Sequence, residues 1–109
     1  MSIELLDDED ALIPAAAKAL TEIFARFDVD QDGALNLQEL NAFATATNGK
    51  PFDQESIDEI QEYFNCTDDG ALTLIGFFEM YQMQTLSEPE ETWKDLKRHG
   101  YDDNLVLRK

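Results

Sequence analysis

A polar segment from Asp28 to Glu39 concentrates oxygen-donor side chains at alternate positions. Its sequence, DVDQDGALNLQE, has aspartates at positions one, three and five, a glycine at six, an asparagine at nine and a glutamate at twelve. Hard divalent cations such as Ca2+ take about six to eight oxygen ligands, which alternate residues of a tight turn can supply. The segment matches the D-x-[DN]-x-[DN]-G-x5-E pattern of a calcium-binding loop at every specified position.

Carboxylates provide most of the ligands in this predicted calcium site. Gly33 permits the positive φ that bends the chain around the ion, and Glu39 closes the coordination sphere with both of its oxygens. A solvated acidic turn is the alternative, but the agreement at every specified position argues against it. The site is predicted to bind one Ca2+ through Asp28, Asp30, Asp32, the Ala34 carbonyl, Asn36 and Glu39.

Helices are predicted on both sides of the loop, because apolar residues recur there at spacings of three and four. Pro14 suits the first turn of the helix before the loop, and the turn sequence NGKP ends the helix after it. These elements form a helix-loop-helix unit over residues 13–47. Its apolar stripes consist of Leu20, Ile23, Phe24 and Phe27 before the loop and of Leu37, Leu40, Phe43 and Ala44 after it.

The second half of the chain repeats this plan, because the tetrapeptide DGAL occurs at 32–35 and again at 69–72. A second helix-loop-helix unit is therefore predicted over residues 53–86, with Leu35 and Leu72 pairing as a short β-bridge. The second loop retains one carboxylate at a ligand position and lacks the closing glutamate, so we expect it to bind no metal. Its ligand positions hold Asn65, Thr67, Asp69, Ala71, Thr73 and Gly76.

The charge balance excludes several classes of function. Twenty-four acidic and 8 basic side chains give a net charge of −16, which opposes binding to nucleic acid or to anionic lipid. The 43% of hydrophobic residues indicates a packed core rather than a disordered acidic tail. An acidic lead-in over residues 1–12, whose Asp7–Asp10 run is interpreted as solvated, indicates no signal peptide. No apolar run is long enough to span a membrane, and the single cysteine favours a cytoplasmic location.

The last part of the chain, residues 87–109, is predicted to form a basic helix and a tail. Ser87 and Pro89 indicate its first turn, and Gly100 suits its end. Trp93 and Leu96 lie on one side of this helix, with basic residues flanking them. Because residues 94–109 are net basic and the rest is acidic, we expect the helix to fold back on the first two units.

These features resemble a paired EF-hand module, and residues 28–39 carry the calcium loop of that family intact. The segments DVDQDGALNLQELNAF, GALTLIGFFEMY and ETWKDLKRHGYDDNL are also similar to the EF-hand segments of mitochondrial Rho GTPases, in which a metal-binding hand pairs with a metal-free one. The resemblance implies an all-α fold, an EF-hand pair plus a short C-terminal helix, in a single domain over residues 1–109. These residues include neither a GTPase domain nor a membrane anchor, so mitochondrial transport functions are not transferred.

The fourth helix carries the residues that favour a regulatory role. Sensor EF-hand proteins expose methionine-rich grooves to target helices, although the same residues can fill a core. Both assignments stay open for the two methionines, whereas the aromatic residues favour the core. We expect a calcium-responsive regulatory or adaptor protein, acting as a monomer, whose groove binds a partner helix or its own C-terminal helix. The candidate groove residues are Phe77, Phe78, Met80, Tyr81 and Met83.

Two other functions of a calcium site stay open: an interaction module with a permanently bound structural ion, and a calcium buffer. An enzyme is not expected, because no nucleophile and base pair is visible. His99, the only histidine, is expected to interact with the last carbonyls of its helix. Cys66 is interpreted as an inert thiol rather than an oxidisable one.

Overall fold

A computed structural model describes residues 4–102 and 104–107 of the chain. Its described helices form two helix-loop-helix units followed by one further helix, which confirms the predicted fold class. None of these helices combines the length and hydropathy needed to cross a membrane. The elements are α1 (Pro14–Phe27), β1 (Ala34–Leu35), α2 (Leu37–Asn48), α3 (Gln54–Tyr63), β2 (Leu72–Thr73), α4 (Leu74–Ser87) and α5 (Pro89–Arg98).

Short-range chemistry sets where the helices begin. The fixed φ of Pro14 begins α1 at the predicted residue. The other three helices of the two units start behind polar caps, whose side chains accept hydrogen bonds from backbone N–H groups of the first turn. These caps are Asn36 for α2, Asp53 for α3 and Thr73 for α4.

The two loops meet in a two-residue antiparallel ladder between β1 and β2. Ala34 pairs with Thr73 and Leu35 pairs with Leu72, as the repeat predicts. Both leucines are 0% exposed, so the ladder is anchored in the hydrophobic core. The first loop is therefore attached directly to the second.

Phe77 on α4 lies at the centre of the core. Its ring is 5.5 Å from that of Phe24, 5.2 Å from that of Phe43 and 5.1 Å from that of Tyr81, all in edge-to-face geometry. Such pairs stabilise by about 0.5–1.5 kcal/mol beyond their burial. One aromatic cluster thus joins α1, α2 and α4.

Helix α5 folds back on both units, as predicted. Apolar burial and hydrogen bonds hold it there, rather than the charge attraction on which the prediction was based. Leu96 and Thr92 are each 1% exposed, and the Thr92 hydroxyl lies 2.8 Å from that of Thr85 on α4. Beyond the helix, the Tyr101 hydroxyl donates to Oε1 of Glu22 on α1 at 2.6 Å. The basic side chains of α5 are exposed; they are Lys94, Lys97 and Arg98.

The start of α5 differs from the prediction. Ser87 is the last residue of α4 and caps nothing; Glu88 precedes α5, without a side-chain cap. Pro89 alone begins the helix. Gly100 does follow its end, with a φ of 99°, as expected for a residue that turns the chain out of a helix.

The acidic run Asp7–Asp10 is exposed, as predicted, but the lead-in around it also contributes to the core. Leu5 is 3% exposed and belongs to the core, and its carbonyl accepts a 2.9 Å hydrogen bond from the N–H of Ile13. Between them, the Asp7 carboxylate accepts from the backbone N–H groups of Glu9 and Ala11 at 2.8 and 3.1 Å. The acidic run therefore stabilises its own turn.

His99 is also placed differently from the prediction. Its ring stacks on Phe43 at 5.8 Å, and its Nε2 lies 2.6 Å from the Thr47 hydroxyl, so the side chain turns into the fold rather than toward carbonyls of its own helix. Burial, together with the charges of Arg26 and Arg98, lowers the pKa of His99 from 6.5 to about 4. The imidazole is therefore neutral at physiological pH.

This burial predicts a pH dependence of stability. Between pH 6.5 and about 4, the unfolded chain protonates His99 while the folded protein does not, so the histidine's contribution to stability is lost as the pH falls through this window. We expect the difference in unfolding free energy between wild type and His99→Gln, from urea titrations, to shrink from pH 7 to pH 4. Carboxylates titrate in both proteins, so the difference isolates His99. A pH-independent difference would contradict this assignment.

Candidate metal centre

Four carboxylates of the first loop converge on one point. The ligand oxygens of Asp28, Asp30, Asp32 and Glu39 all lie within 4.8 Å of one another. Because Ca2+ binds oxygens at about 2.3–2.6 Å, ligands on opposite sides of one ion are about 5 Å apart, and the cluster fits that span. Asp28 and Glu39 are buried, whereas the other two are exposed. The cluster has the size and chemistry to bind a metal ion such as Ca2+.

Asp28 is held by the turn that follows α1. Its own N–H bonds the Phe24 carbonyl at 3.0 Å, which completes the last turn of the helix. Its carboxylate accepts hydrogen bonds from the backbone N–H groups of Asp32 at 3.2 Å and Gly33 at 3.0 Å. Gly33 has a φ of 86°, the positive value predicted for it. The backbone thus wraps around the first carboxylate.

Glu39 joins the two ends of the loop. One of its oxygens, Oε2, accepts from the N–H of Val29 at 2.8 Å, and the other, Oε1, accepts from the N–H of Asn36 at 3.0 Å. The Asn36 side chain accepts in return from the N–H of Glu39 at 2.9 Å, which forms a capping box at the start of α2. The closing carboxylate is therefore fixed to the helix that leaves the site.

The two remaining predicted ligands lie beside the cluster. Ala34 is buried in β1, and its N–H donates to Oδ1 of Asp32 at 3.0 Å. The Asn36 side chain is occupied as the helix cap described above. The roles of the Ala34 carbonyl and Asn36 as ligands stay predictions.

The two exposed aspartates have pKa values that are shifted in opposite directions. The hydrogen bond from the Ala34 N–H lowers the pKa of Asp32. Desolvation, with the nearby carboxylates of Asp32 and Glu39, raises the pKa of Asp30. Because metal ligands must be deprotonated, protons compete with a cation more effectively at Asp30 than at Asp32.

The second loop is closed by its own hydrogen bonds. The Thr73 hydroxyl lies 2.6 Å from Oδ1 of Asn65, and the Asn65 N–H donates to Oε1 of Glu79 at 2.8 Å. The groups at its first and ninth positions thus satisfy each other. Among the residues that the structure describes, three or more acidic or other metal-ligating side chains converge only in the first loop. This arrangement supports the predicted metal-free second loop.

The hydrogen bond from the Asn65 N–H to Glu79 was not predicted from the sequence. The residue lies three positions beyond the closing position, and the repeat gives it no role. Its side chain nevertheless reaches back to the first residue of the loop. Only the packing of α4 against this loop brings the two together, so spacing alone contains no signal for the contact.

Gly76 leaves room for this closure, which predicts a large effect of adding one methyl group. A Cβ at this position would overlap the Asn65 carbonyl oxygen and lie 2.7 Å from Cδ1 of Leu72. Although alanine favours helix by about 1 kcal/mol, we expect overpacking to dominate, and Gly76→Ala to lower the free energy of unfolding by about 1–3 kcal/mol. Urea titration tests this, with the neighbouring Ile75→Ala, at a position that is 63% exposed, as control. Equal or higher stability of Gly76→Ala would contradict the contact.

Cys66 lies in the same loop and is half-buried. Its thiol contacts the Ile60 carbonyl at 3.8 Å. Burial, with the negative charge of Glu79, raises the pKa of the thiol. Because the thiolate is the reactive form, this environment supports the interpretation of Cys66 as inert.

A cavity of about 570 Å3 lies beside α5, with residues of α2, α3 and α4 in its other walls. Met80, Tyr81 and Met83 line it, as predicted for a groove. Phe77 and Phe78 do not: Phe77 is 0% exposed in the core, and Phe78 packs against that core. The groove assignment is therefore wrong for these two residues, whereas the core assignment that their aromatic character favours is confirmed, because the helix turns them inward. Its remaining apolar lining consists of Phe43, Phe52, Ile60, Tyr63 and Phe64.

The chain is similar in sequence to a known domain family and to known proteins. The EF-hand domain pair family matches residues 17–83. The chain is 35% identical over 105 residues to Mitochondrial Rho GTPase 1 of Neurospora crassa, covering 91% of the chain and 17% of that protein. It is 31% identical over 106 residues to Probable mitochondrial Rho GTPase gemA of Dictyostelium discoideum, covering 92% of the chain and 16% of that protein.

The chain thus spans less than a fifth of the length of these relatives. Their similarity extends beyond the second helix-loop-helix unit, because coverage of 91% leaves fewer residues unmatched than follow that unit. The family match itself takes in the acidic cluster, the ladder between the two loops and most of α4. On these grounds, the chain belongs to the EF-hand domain pair family.

Proposed function

We propose that the protein binds one Ca2+ in its first loop and acts as a calcium-responsive regulatory or adaptor protein. The supporting observation is that α2 contributes a residue both to the cluster and to the cavity. Glu39 belongs to the acidic cluster, and Phe43, four residues later on the same helix, lines the cavity. Residues four apart share a helix face, so a shift of the carboxylate carries the cavity wall with it.

The proposed mechanism is electrostatic. Without a cation, four carboxylates within 4.8 Å repel one another, and backbone N–H groups compensate only part of that charge. Ca2+ neutralises the repulsion and draws both oxygens of Glu39 to itself. Because those oxygens otherwise bond the N–H groups of Val29 and Asn36, binding alters how the start of α2 is held.

The cavity is the proposed site for a partner helix. Its lining combines aromatic rings with two methionines, and Met83 is 56% exposed. Methionine side chains adapt to different apolar surfaces, which suits a groove that receives a helix. In this proposal the protein is a cytoplasmic monomer that acts by binding and has no catalytic activity.

The experiment combines calorimetry with fluorescence. Titration with Ca2+ is expected to give one ion per chain. Trp93, the only tryptophan, is half-buried and lines a cavity with Leu5 and Thr85, so its emission reports on how α5 packs against the rest of the fold. We expect its emission and the binding of an apolar dye to change at about 0.1–10 μM free Ca2+. Two bound ions would contradict the metal-free second loop.

The two alternative functions give different results in the same experiment. A structural ion would survive mild chelation and leave the tryptophan and dye signals unchanged. A buffer would bind Ca2+ without any increase in dye binding, because buffer EF-hands barely open. Repeating the titration with Mg2+ separates a response specific to Ca2+ from simple neutralisation of the cluster.

A further inference from the structure

The charged residues around the cavity have one sign. Its lining includes the carboxylates of Glu59, Glu91 and Asp95, and within the described part of the chain it includes no lysine, arginine or histidine. A second cavity of about 310 Å3 continues from it along α4 and adds Glu88 at its far end. Together these cavities form a largely apolar groove, here called the α4 groove, whose charged lining residues in the described part of the chain are all acidic.

Asp95 differs from the other acidic residues of the α4 groove, because it is partly buried and fixed. Its Oδ2 accepts hydrogen bonds from the Tyr81 hydroxyl at 3.1 Å and from Nε2 of Gln84 at 3.3 Å. Desolvation raises the pKa of this carboxyl. Glu59 and Glu91 are exposed, and water screens their charges. Asp95 is thus a preorganised carboxylate in a partly apolar wall.

The hydrogen bonds to Asp95 do not balance its charge, and the positive charge of the exposed Lys94 lowers the pKa of this carboxyl by less than desolvation raises it. Tyr81 and Gln84 are neutral donors, and both bond the same oxygen. The basic residues of α5 do not line the groove. A partly desolvated carboxylate is stabilised most by a cationic donor, because charge-assisted hydrogen bonds are about twice as strong as neutral ones.

We propose that Asp95 selects, among helices that enter the α4 groove, those that carry a lysine or arginine within an otherwise apolar face. This inference rests on the proposed function, since it requires that the groove receives a helix. It adds a chemical requirement on the partner, set by a residue outside both helix-loop-helix units. The apolar face contacts the methionines and aromatic rings, and the cationic side chain reaches Asp95.

Charge complementarity also favours this occupant over a second copy of the chain. A net charge of −16 makes two copies repel, and the groove has no cation to attract an acidic surface. One side of the groove is open, because an aromatic ring and a methionine at its edge are exposed, Tyr63 at 67% and Met83 at 56%. The open α4 groove can therefore bind a helix that buries its apolar face and keeps its polar face in water.

The test uses two designed helical peptides with the same apolar face, one with a central lysine and one with norleucine at that position. Calorimetry with the full chain and saturating Ca2+ is expected to show at least about tenfold tighter binding of the lysine peptide. Asp95→Asn retains a side-chain acceptor for Tyr81 and Gln84 but removes the charge, so it should abolish the preference while the norleucine peptide still binds. Glu90→Gln, at an exposed α5 position outside the groove, is the matched control and should keep the preference.

The outcomes separate this inference from the proposed function. Equal binding of both peptides to wild type, or a preference that persists in Asp95→Asn, overturns the role of Asp95 and leaves the groove intact. If neither peptide binds wild type, the groove and its partner helix are both contradicted. Circular dichroism of each variant confirms that loss of the preference is not loss of the fold.

Discussion

Glu39→Gln is expected to lower the calcium affinity of the chain by more than about 100-fold. Loss of a residue that only orients the ligands costs about 10–100-fold in metal affinity, and loss of a ligand should cost more. The change removes one charge and one of two oxygens from the residue that closes the cluster. It should leave the fold intact, because glutamine can still accept the hydrogen bond from the N–H of Asn36. Isothermal titration calorimetry measures the effect directly.

Thermal stability gives a second measurement of the same change. A ligand that binds only the folded state stabilises it by about 2.7 kcal/mol when its free concentration is 100 times the dissociation constant. Wild type should therefore melt at a higher temperature with Ca2+, and Glu39→Gln should not. Glu79→Gln, the same substitution in the second hand, is the control and should keep both affinity and thermal shift. Equal affinity of wild type and Glu39→Gln would contradict the assigned closing ligand.

Leu96→Ala is expected to lower the free energy of unfolding by about 2–5 kcal/mol. The side chain is 1% exposed and belongs to the core cluster. Since small domains are stable by about 5–15 kcal/mol in total, this loss is a large part of the whole. Chemical denaturation monitored by circular dichroism measures it, and dye binding should rise as α5 loosens.

The matched control is Leu86→Ala, at a position on α4 that is 53% exposed. Its expected cost is within about 0.5 kcal/mol, because little apolar surface returns to water. If both variants lost the same small amount, α5 would be an accessory to the fold rather than part of its core. The comparison also tests whether the C-terminal helix and the two hands unfold together.

The features that follow local rules were predictable. The acidic loop has a fixed spacing, the helices have an apolar period, and the repeat of DGAL sets the register of the ladder from Leu35 to Leu72. Each of these depends on residues close in sequence or on a repeat. The prediction of a metal-free second loop likewise depends on ligands that are missing from a short stretch of sequence.

The features that were missed depend on contacts between distant residues. Leu5 enters the core, His99 stacks on Phe43, and Glu79 reaches Asn65, each across a separation that no period describes. Asp95 is another case, because the sequence assigns it only to a basic helix. Its environment is formed by Tyr81 and Gln84 on α4, which lie next to Asp95 because the chain turns between α4 and α5.

The self-closed second loop has a consequence for the shape of the calcium response. Thr73, Asn65 and Glu79 occupy that loop with hydrogen bonds. With the second loop metal-free, as predicted, no second site assists the first. A single site per monomer gives a hyperbolic isotherm with a Hill coefficient of one. Occupancy of the proposed site is then expected to rise from a tenth to nine tenths over about two decades of free Ca2+, which is a graded rather than an all-or-none response.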